Sequence, residues 1–333
     1  MKRFIYLHTL ILSMGLVFSS CEKSSSNKTT ILNQNKGYTI QERDKFYHVC
    51  FLNRENVWIV GQFGVILHSS DEGETWQQQD SKTENPLYRV EFIDENNGWI
   101  SGAYGTILHT NDGGKNWEAQ AIDTEENILD IQFVDEGRGW AVGPWGTILH
   151  TNNGGKKWES QSIGEDITLN CLYFIDSQEG WIGGEWGTIL HTANGGKEWV
   201  KQESSLETSL FAIYFTDLKQ GWAAGMLGKM VYTHDGGKTW KQIESGTANA
   251  LLDIVVADDS LWSVGSRGSL IRTSISHGGI ESTVLPIKTY QWLSSISFIS
   301  DDHHYGLIVG GRGTILYTQD GGDNWIHKGY VLG

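Results

Sequence analysis

The chain has 333 residues, with 40 acidic side chains against 25 basic ones and a formal charge of −15. No long lysine and arginine run opposes that charge, which argues against a partner held through its phosphate backbone and sets nucleic acid aside. Fifteen tryptophans beside three prolines fit many short strands packed around aromatic side chains, not a helical or disordered chain.

Taken in chain order, the first element is a targeting segment. Lys2 and Arg3 precede an apolar stretch, residues 4–18, that ends in small residues and Cys21. The string Phe18-Ser19-Ser20-Cys21 resembles a bacterial lipobox, which predicts a signal peptide over 1–20 and acylation of Cys21. An ordinary secretory signal with an incidental cysteine is the alternative. Residues 21–44 then read as the lipidated cysteine and a polar, flexible tether. On this expectation the protein is a membrane-anchored lipoprotein of the bacterial envelope, periplasmic or on the cell surface, touching the membrane through its lipid only. Cys50 and Cys171 fall in units one and four of the repeat described next, too far apart for a disulfide.

From about residue 45 the chain repeats. Paired glycines stand at Gly61/Gly64, Gly102/Gly105, Gly143/Gly146, Gly184/Gly187, Gly225/Gly228, Gly265/Gly268 and Gly310/Gly313, stepping by 41 residues four times, then 40, then 45. In the second unit, "LYRVEFI" alternates with period two, "DENNG" is a turn, "WISG" a strand, Ala103-Tyr104-Gly105 a tight reversal, "TILHT" a strand, "NDGG" a turn and "NWEAQ" a strand. Four antiparallel strands per unit at this period make a propeller blade. The prediction is an all-β, seven-bladed β-propeller over 45–333, with no room for a second globular domain. Strands running from the centre outward put the first and third turns on one face. The second turns and the inter-blade loops lie on the other.

The third turns are the sharpest part of the repeat. "SSDEGETW", "TNDGGKNW", "TNNGGKKW", "TANGGKEW", "THDGGKTW" and "TQDGGDNW" resemble the Asp-box, S/T-x-D-x-G-x-x-W, of bacterial neuraminidase repeats. The acceptors are Asp71, Asp112, Asn153, Asn194, Asp235 and Asp320, and the tryptophans are Trp76, Trp117, Trp158, Trp199, Trp240 and Trp325. A short acceptor bonds backbone N–H groups inside the turn, a glycine takes a positive φ, and the indole is buried. Because Asn153 and Asn194 keep the acceptor and lose the charge, the boxes read as structural and no metal is expected. The sixth unit, "TSISHGGIEST", has lost both Asp and Trp, which predicts the loosest blade. His68, His109, His150 and His191 share one slot a blade apart, so they read as strand residues and not as a ligand set.

The second turns place Phe63, Tyr104, Trp145, Trp186, Leu227, Arg267 and Arg312 just before the second glycine of each pair. Exposed aromatics in tight turns suggest a stacking or docking surface, with a protein partner or a glycan as ligand. The alternative is that the rings fold down and seal the disc.

The tandem "GW-x-x-G-x-x-GTILHT-x-DGG-x-x-W" units resemble those of the photosystem II stability/assembly factor-like family of seven-bladed propellers, a branch of the Asp-box superfamily. The resemblance covers about residues 45–330. It implies a non-catalytic scaffold without cofactors that binds a protein partner in the cell envelope, as an assembly or stability factor. It also implies an arginine-rich string of the type "SRR" at the binding face, which this sequence lacks. The rival class is an Asp-box glycoside hydrolase or carbohydrate-binding propeller. Sialidases resemble one another in an Arg-Ile-Pro string and an arginine triad that are absent here, whereas Glu91, Asp130 and Asp253, in first strands, are placed to line the channel.

Overall fold

The computed structural model describes residues 37–275, 280–300 and 302–329. The expected signal peptide over 1–20, Cys21 and most of the expected tether lie outside them. Seven four-stranded antiparallel sheets follow one another, each in simple sequential order. They span residues 46–79, 87–119, 130–160, 169–203, 210–244, 251–284 and 293–327. No α-helix is present among the described residues.

Blade two shows how the sequence makes the sheet. Its strands are Leu87–Phe92, Gly98–Gly102, Ile107–Thr110 and Glu118–Ala119, and burial falls outward from a wholly buried second strand to an exposed fourth. The glycine opening the second strand is dictated by packing. A Cβ on Gly98 would meet the Phe92 ring at 2.5 Å, so only glycine lets that ring lie across the strand.

The core is a set of joints between blades. In the first four, the tryptophan of one blade's second strand stacks on the next blade's phenylalanine: Trp58 on Phe92, Trp99 on Phe133, Trp140 on Phe174 and Trp181 on Phe215, with centroids 3.5–3.7 Å apart. The box tryptophan of the later blade meets the same phenylalanine edge-on, as Trp117 does Phe92 at 5.8 Å. His68, His109, His150 and His191 lie against the other side of those second-strand indoles, at 4.8–5.0 Å. They are packing residues.

Each box turn closes as its composition requires. Asp112 Oδ1 accepts from Asn116 N at 2.9 Å and from the Thr110 hydroxyl, while Thr110 Oγ1 accepts from Gly114 N. Gly114 has φ 83° and a side-chain atom of Gln79 only 2.1 Å from a notional Cβ, so a larger residue would be both strained and crowded. That glutamine joins the blades: its Oε1 accepts from Trp117 Nε1 and its amide donates to Gly113 O. Gln120 and Gln202 repeat the pair of bonds at two later joints. Trp76, Trp117, Trp158 and Trp240 are buried, whereas Trp199 and Trp325 are partly so.

Closure of the ring uses the first three strands of blade seven and the residue just after its fourth. Ser295 and Ser297 hydroxyls accept from Val49 N and Phe51 N, Tyr317 donates to Glu72, Arg54 pairs with Asp302 at 2.6 Å, and Lys328 pairs with Glu74. The compact unit begins at Gly37, so residues 37–44 belong to the ring and not to the tether expected over 21–44. Tyr38 and Ile40 pack on the core of blades one and seven, and Tyr38 N donates to Trp76 O. Asp44 O accepts from Gly313 N, as Glu126 O does from Gly105 N in blade two. The segment therefore stands in for the missing loop from blade seven to blade one.

Candidate functional site

The first strand of each blade faces the central channel and has one ladder edge without a partner strand, which would leave buried N–H groups unsatisfied. Side chains of the preceding blade supply the acceptors. Glu91 accepts from Phe133 N at 2.8 Å, Asp130 from Leu172 N at 2.9 Å, Gln132 from Phe174 N at 2.6 Å and Asp253 from Ile296 N at 3.0 Å. The channel is small, about 380 Å³, and within it Arg89 pairs with Asp130 of the next blade at 3.2 Å. The three channel carboxylates singled out from the sequence thus each spend an oxygen on an interblade clasp. Cys50 and Cys171 also line the channel as free thiols, both pushed up by burial, Cys50 to about 12.

Burial pushes the Glu91 carboxyl up to about 8, against the pull of Arg89 and the Phe133 N–H. The folded state therefore holds a proton that the unfolded chain releases. The stability this group contributes is full below the ordinary glutamate range and is lost as pH rises through about 8. Asp130 and Asp253 are shifted in the same direction by burial. Glu91→Gln cannot ionise, so its Tm is expected to fall less than that of the wild type between about pH 6 and pH 9. Equal slopes in the two thermal-melt series would contradict the assignment.

On the face that carries the inter-blade loops, all seven second turns adopt one conformation. Phe63, Tyr104, Trp145, Trp186, Leu227, Arg267 and Arg312 have φ between 53° and 60°, and the glycine after each has φ between 63° and 69°. Two successive left-handed residues are the centre of a type I′ turn, whose first position favours Asn, Asp or Gly. Here it holds four aromatics, a leucine and two arginines, at a cost on the order of 1 kcal/mol each. The turns are pinned from below. Gln62, Ala103, Glu185, Met226, Ser266 and Gly311 each donate a backbone N–H to the loop entering their own blade, and Pro144 has none to give.

The side chains at these positions stand in solvent. Phe63 is 65% exposed, Tyr104 71%, Trp145 52% and Trp186 55%. Arg267 is exposed and no ion pair among the described residues engages it, whereas Arg312 pairs with Glu42 at 2.6 Å. The arc thus passes from four rings through Leu227 to one guanidinium outside any ion pair and one held by the N-terminal segment. The strained turn conformation and the Glu42 contact were not foreseen from the sequence. Among the described residues no three His, Cys, Asp or Glu side chains gather where they could hold a cation.

The profile of the photosynthesis system II assembly factor YCF48 matches residues 74–127 and 116–210, and that of the BNR/Asp-box repeat matches residues 231–242. Over residues 74–210 the repeats resemble those of that assembly-factor profile. Among solved structures, YCF48 bound to D1 peptide superposes with a TM-score of 0.70 at 21% identity, over 88% of this chain and 99% of that one. YCF48 from Cyanidioschyzon merolae gives 0.69 at 20% identity, over 85% and 98%. The GH74 xyloglucanase from Xanthomonas campestris gives 0.71 at 12% identity, over 86% of this chain and 54% of that one. At these identities the structural likeness establishes the fold. No curated protein matches the chain by sequence.

Proposed function

We propose that the protein is a non-catalytic propeller scaffold of the cell envelope that docks a protein partner on the arc of second turns. The observation that carries this is the arc itself. Bulky residues occupy seven left-handed positions where Asn or Gly would be less strained, and their rings point into water. A fold that retains such strain at an exposed face has a use for the side chains. Aromatic and arginine anchors dominate interface energy, commonly at about 2 kcal/mol or more each at hot spots. The YCF48 ring solved with a D1 peptide is a propeller of this repeat type holding a polypeptide, which supports the choice of a protein over a glycan.

The test is photo-crosslinking from a reactive residue placed at position 104, in native membranes, followed by co-purification, with a glycan screen of the same protein beside it. A protein captured through the arc is the expected result. Capture of no protein together with a glycan hit would overturn it in favour of a carbohydrate binder, and release of reducing ends would overturn it in favour of a hydrolase.

The membrane anchor belongs to the same proposal. Acyl chains hold at about 0.8 kcal/mol per buried CH₂, and no helix among the described residues is long and apolar enough to cross a membrane. Cys21→Ser is expected to move the protein from the membrane to the soluble fraction. Retention on membranes after a high-salt wash would contradict lipidation at Cys21.

A further inference from the structure

Each second turn rests on the loop that leaves its own blade, and the contact recurs at one place. In blade two the carbonyl oxygen of Thr124 lies so close to Gly105 that a Cβ there would overlap it, and Thr83, Glu165, Leu206, Thr247 and Thr289 make the same contact with the turn glycines of blades one and three to six. The next residue of each loop is therefore a fixed neighbour of the turn. In blades one to four it is Glu84, Glu125, Asp166 and Glu207, and in blades five and six it is Ala248 and Tyr290. In blade seven the N-terminal segment takes the place of the loop. Asp44 O accepts from Gly313 N as Glu126 O does from Gly105 N, which puts Arg43 in the slot of Glu125.

The slot and the turn vary together. A carboxylate stands beside each of the four aromatic turn residues, Phe63, Tyr104, Trp145 and Trp186, and beside none of Leu227, Arg267 and Arg312. All four carboxylates are exposed, and no ion pair among the described residues engages them. The loops leaving blades two to four, residues 121–127, 163–168 and 204–209, carry six acidic side chains and no lysine or arginine. In the loop leaving blade one, Lys82 donates to Trp117 O. A ring face and a carboxylate side by side attract the same group, a cation, the ring through its quadrupole and the carboxylate through its charge.

We propose that the aromatic half of the arc binds a basic segment of the partner polypeptide, whose arginine or lysine side chains are held one per blade by the ring and the carboxylate of blades one to four. This rests on the arc as the docking surface and names the chemistry of what docks there. Four pairs on four blades ask for several cations along one chain, which a polypeptide supplies and a single choline headgroup does not. Arginine fits best, because its planar guanidinium stacks on a ring and forks onto a carboxylate. Arg43, Arg267 and Arg312 repel such a segment from blades six and seven, which confines it to the other half of the face.

The experiment titrates fluorescein-labelled hexa-arginine amide into the purified protein and follows anisotropy at low and at physiological salt. The variant Glu84→Gln/Glu125→Gln/Asp166→Asn/Glu207→Gln should keep the wild-type Tm and bind at least about tenfold more weakly, since four small attractions act together. Removing the same charge on the box side, with Glu55→Gln/Glu118→Gln/Glu136→Gln/Glu198→Gln, should change the affinity by no more than about twofold at physiological salt, where distant charges are screened. Tyr104→Asn/Trp145→Asn/Trp186→Asn, which keeps every carboxylate, should also bind at least about tenfold more weakly. Equal affinities of the two amide variants would reduce the effect to net charge and overturn the proposal. Wild-type affinity in the ring variant would overturn it as well, and so would binding of phosphatidylcholine vesicles in place of the peptide. Capture through position 104 separates this proposal from the docking surface beneath it. If the arc-side amide variant crosslinks its protein partner as well as wild type does, the basic segment is wrong and the arc stands; if wild type captures no protein there, both fall.

Discussion

Trp117→Ala is expected to destabilise the ring by about 3–5 kcal/mol, more than the loss of any single hydrogen bond in a box turn. The indole is 1% exposed, packs edge-on to Phe92 and lies in the same cluster as Trp58, so its removal opens a cavity at the joint of blades one and two. It also strips Gln79 Oε1 of its donor, leaving a clasp half made. Asp112→Ala is the control. It loses the acceptor for Asn116 N and the Thr110 hydroxyl, at a half-exposed turn, and should cost nearer ~1–2 kcal/mol by the usual worth of such bonds, about 1 kcal/mol each. Urea unfolding of both variants checks the ranking. If Asp112→Ala proved as damaging as Trp117→Ala, or if it left stability untouched and removed partner capture, the box would have a role beyond closing its turn.

The blades were legible in the sequence because their signals repeat: alternation for the strands, a box at each third turn, and a glycine pair at each second turn. What repeats in geometry without repeating in letters was not. The channel clasps are made by Glu91, Asp130, Gln132, Asp253, Ser295 and Ser297, since side-chain oxygen acceptors of several lengths serve, so no shared residue marked the slot. The start of the ring at Gly37 is hidden in the letters for a similar reason. Asp44 closes the last joint through its backbone carbonyl, which every residue possesses. The site was legible in position only. An aromatic-glycine pair does not announce a type I′ turn as Asn-Gly does, so the left-handed strain at Phe63, Tyr104, Trp145 and Trp186 emerged only from the backbone. The altered sixth unit was visible as a lost box, but that Val256 and Ser282 stand at the places of the other joints' phenylalanine and box tryptophan required the strand register.

The strain at the arc also makes its role measurable. Asn is among the residues that tolerate the left-handed region best. Replacing Trp145 and Trp186 together by Asn should therefore relieve about 1 kcal/mol at each turn while deleting two exposed rings. A docking surface and a structural seal respond in opposite directions. If the rings seal the disc, their loss uncovers apolar surface and the Tm falls. If they dock a partner, nothing in the free protein needs them. Arg267→Ala extends the series to the cationic end of the arc, where the change breaks no ion pair among the described residues, whereas Arg312→Ala also releases Glu42.

The most direct measurement is the Tm of the Trp145→Asn/Trp186→Asn protein together with its yield of crosslinked partner from native membranes. The arc as a docking surface predicts a Tm equal to or above that of the wild type, with capture reduced at least tenfold. A Tm lowered by several degrees, with the folded fraction capturing its partner as well as wild type, would contradict it.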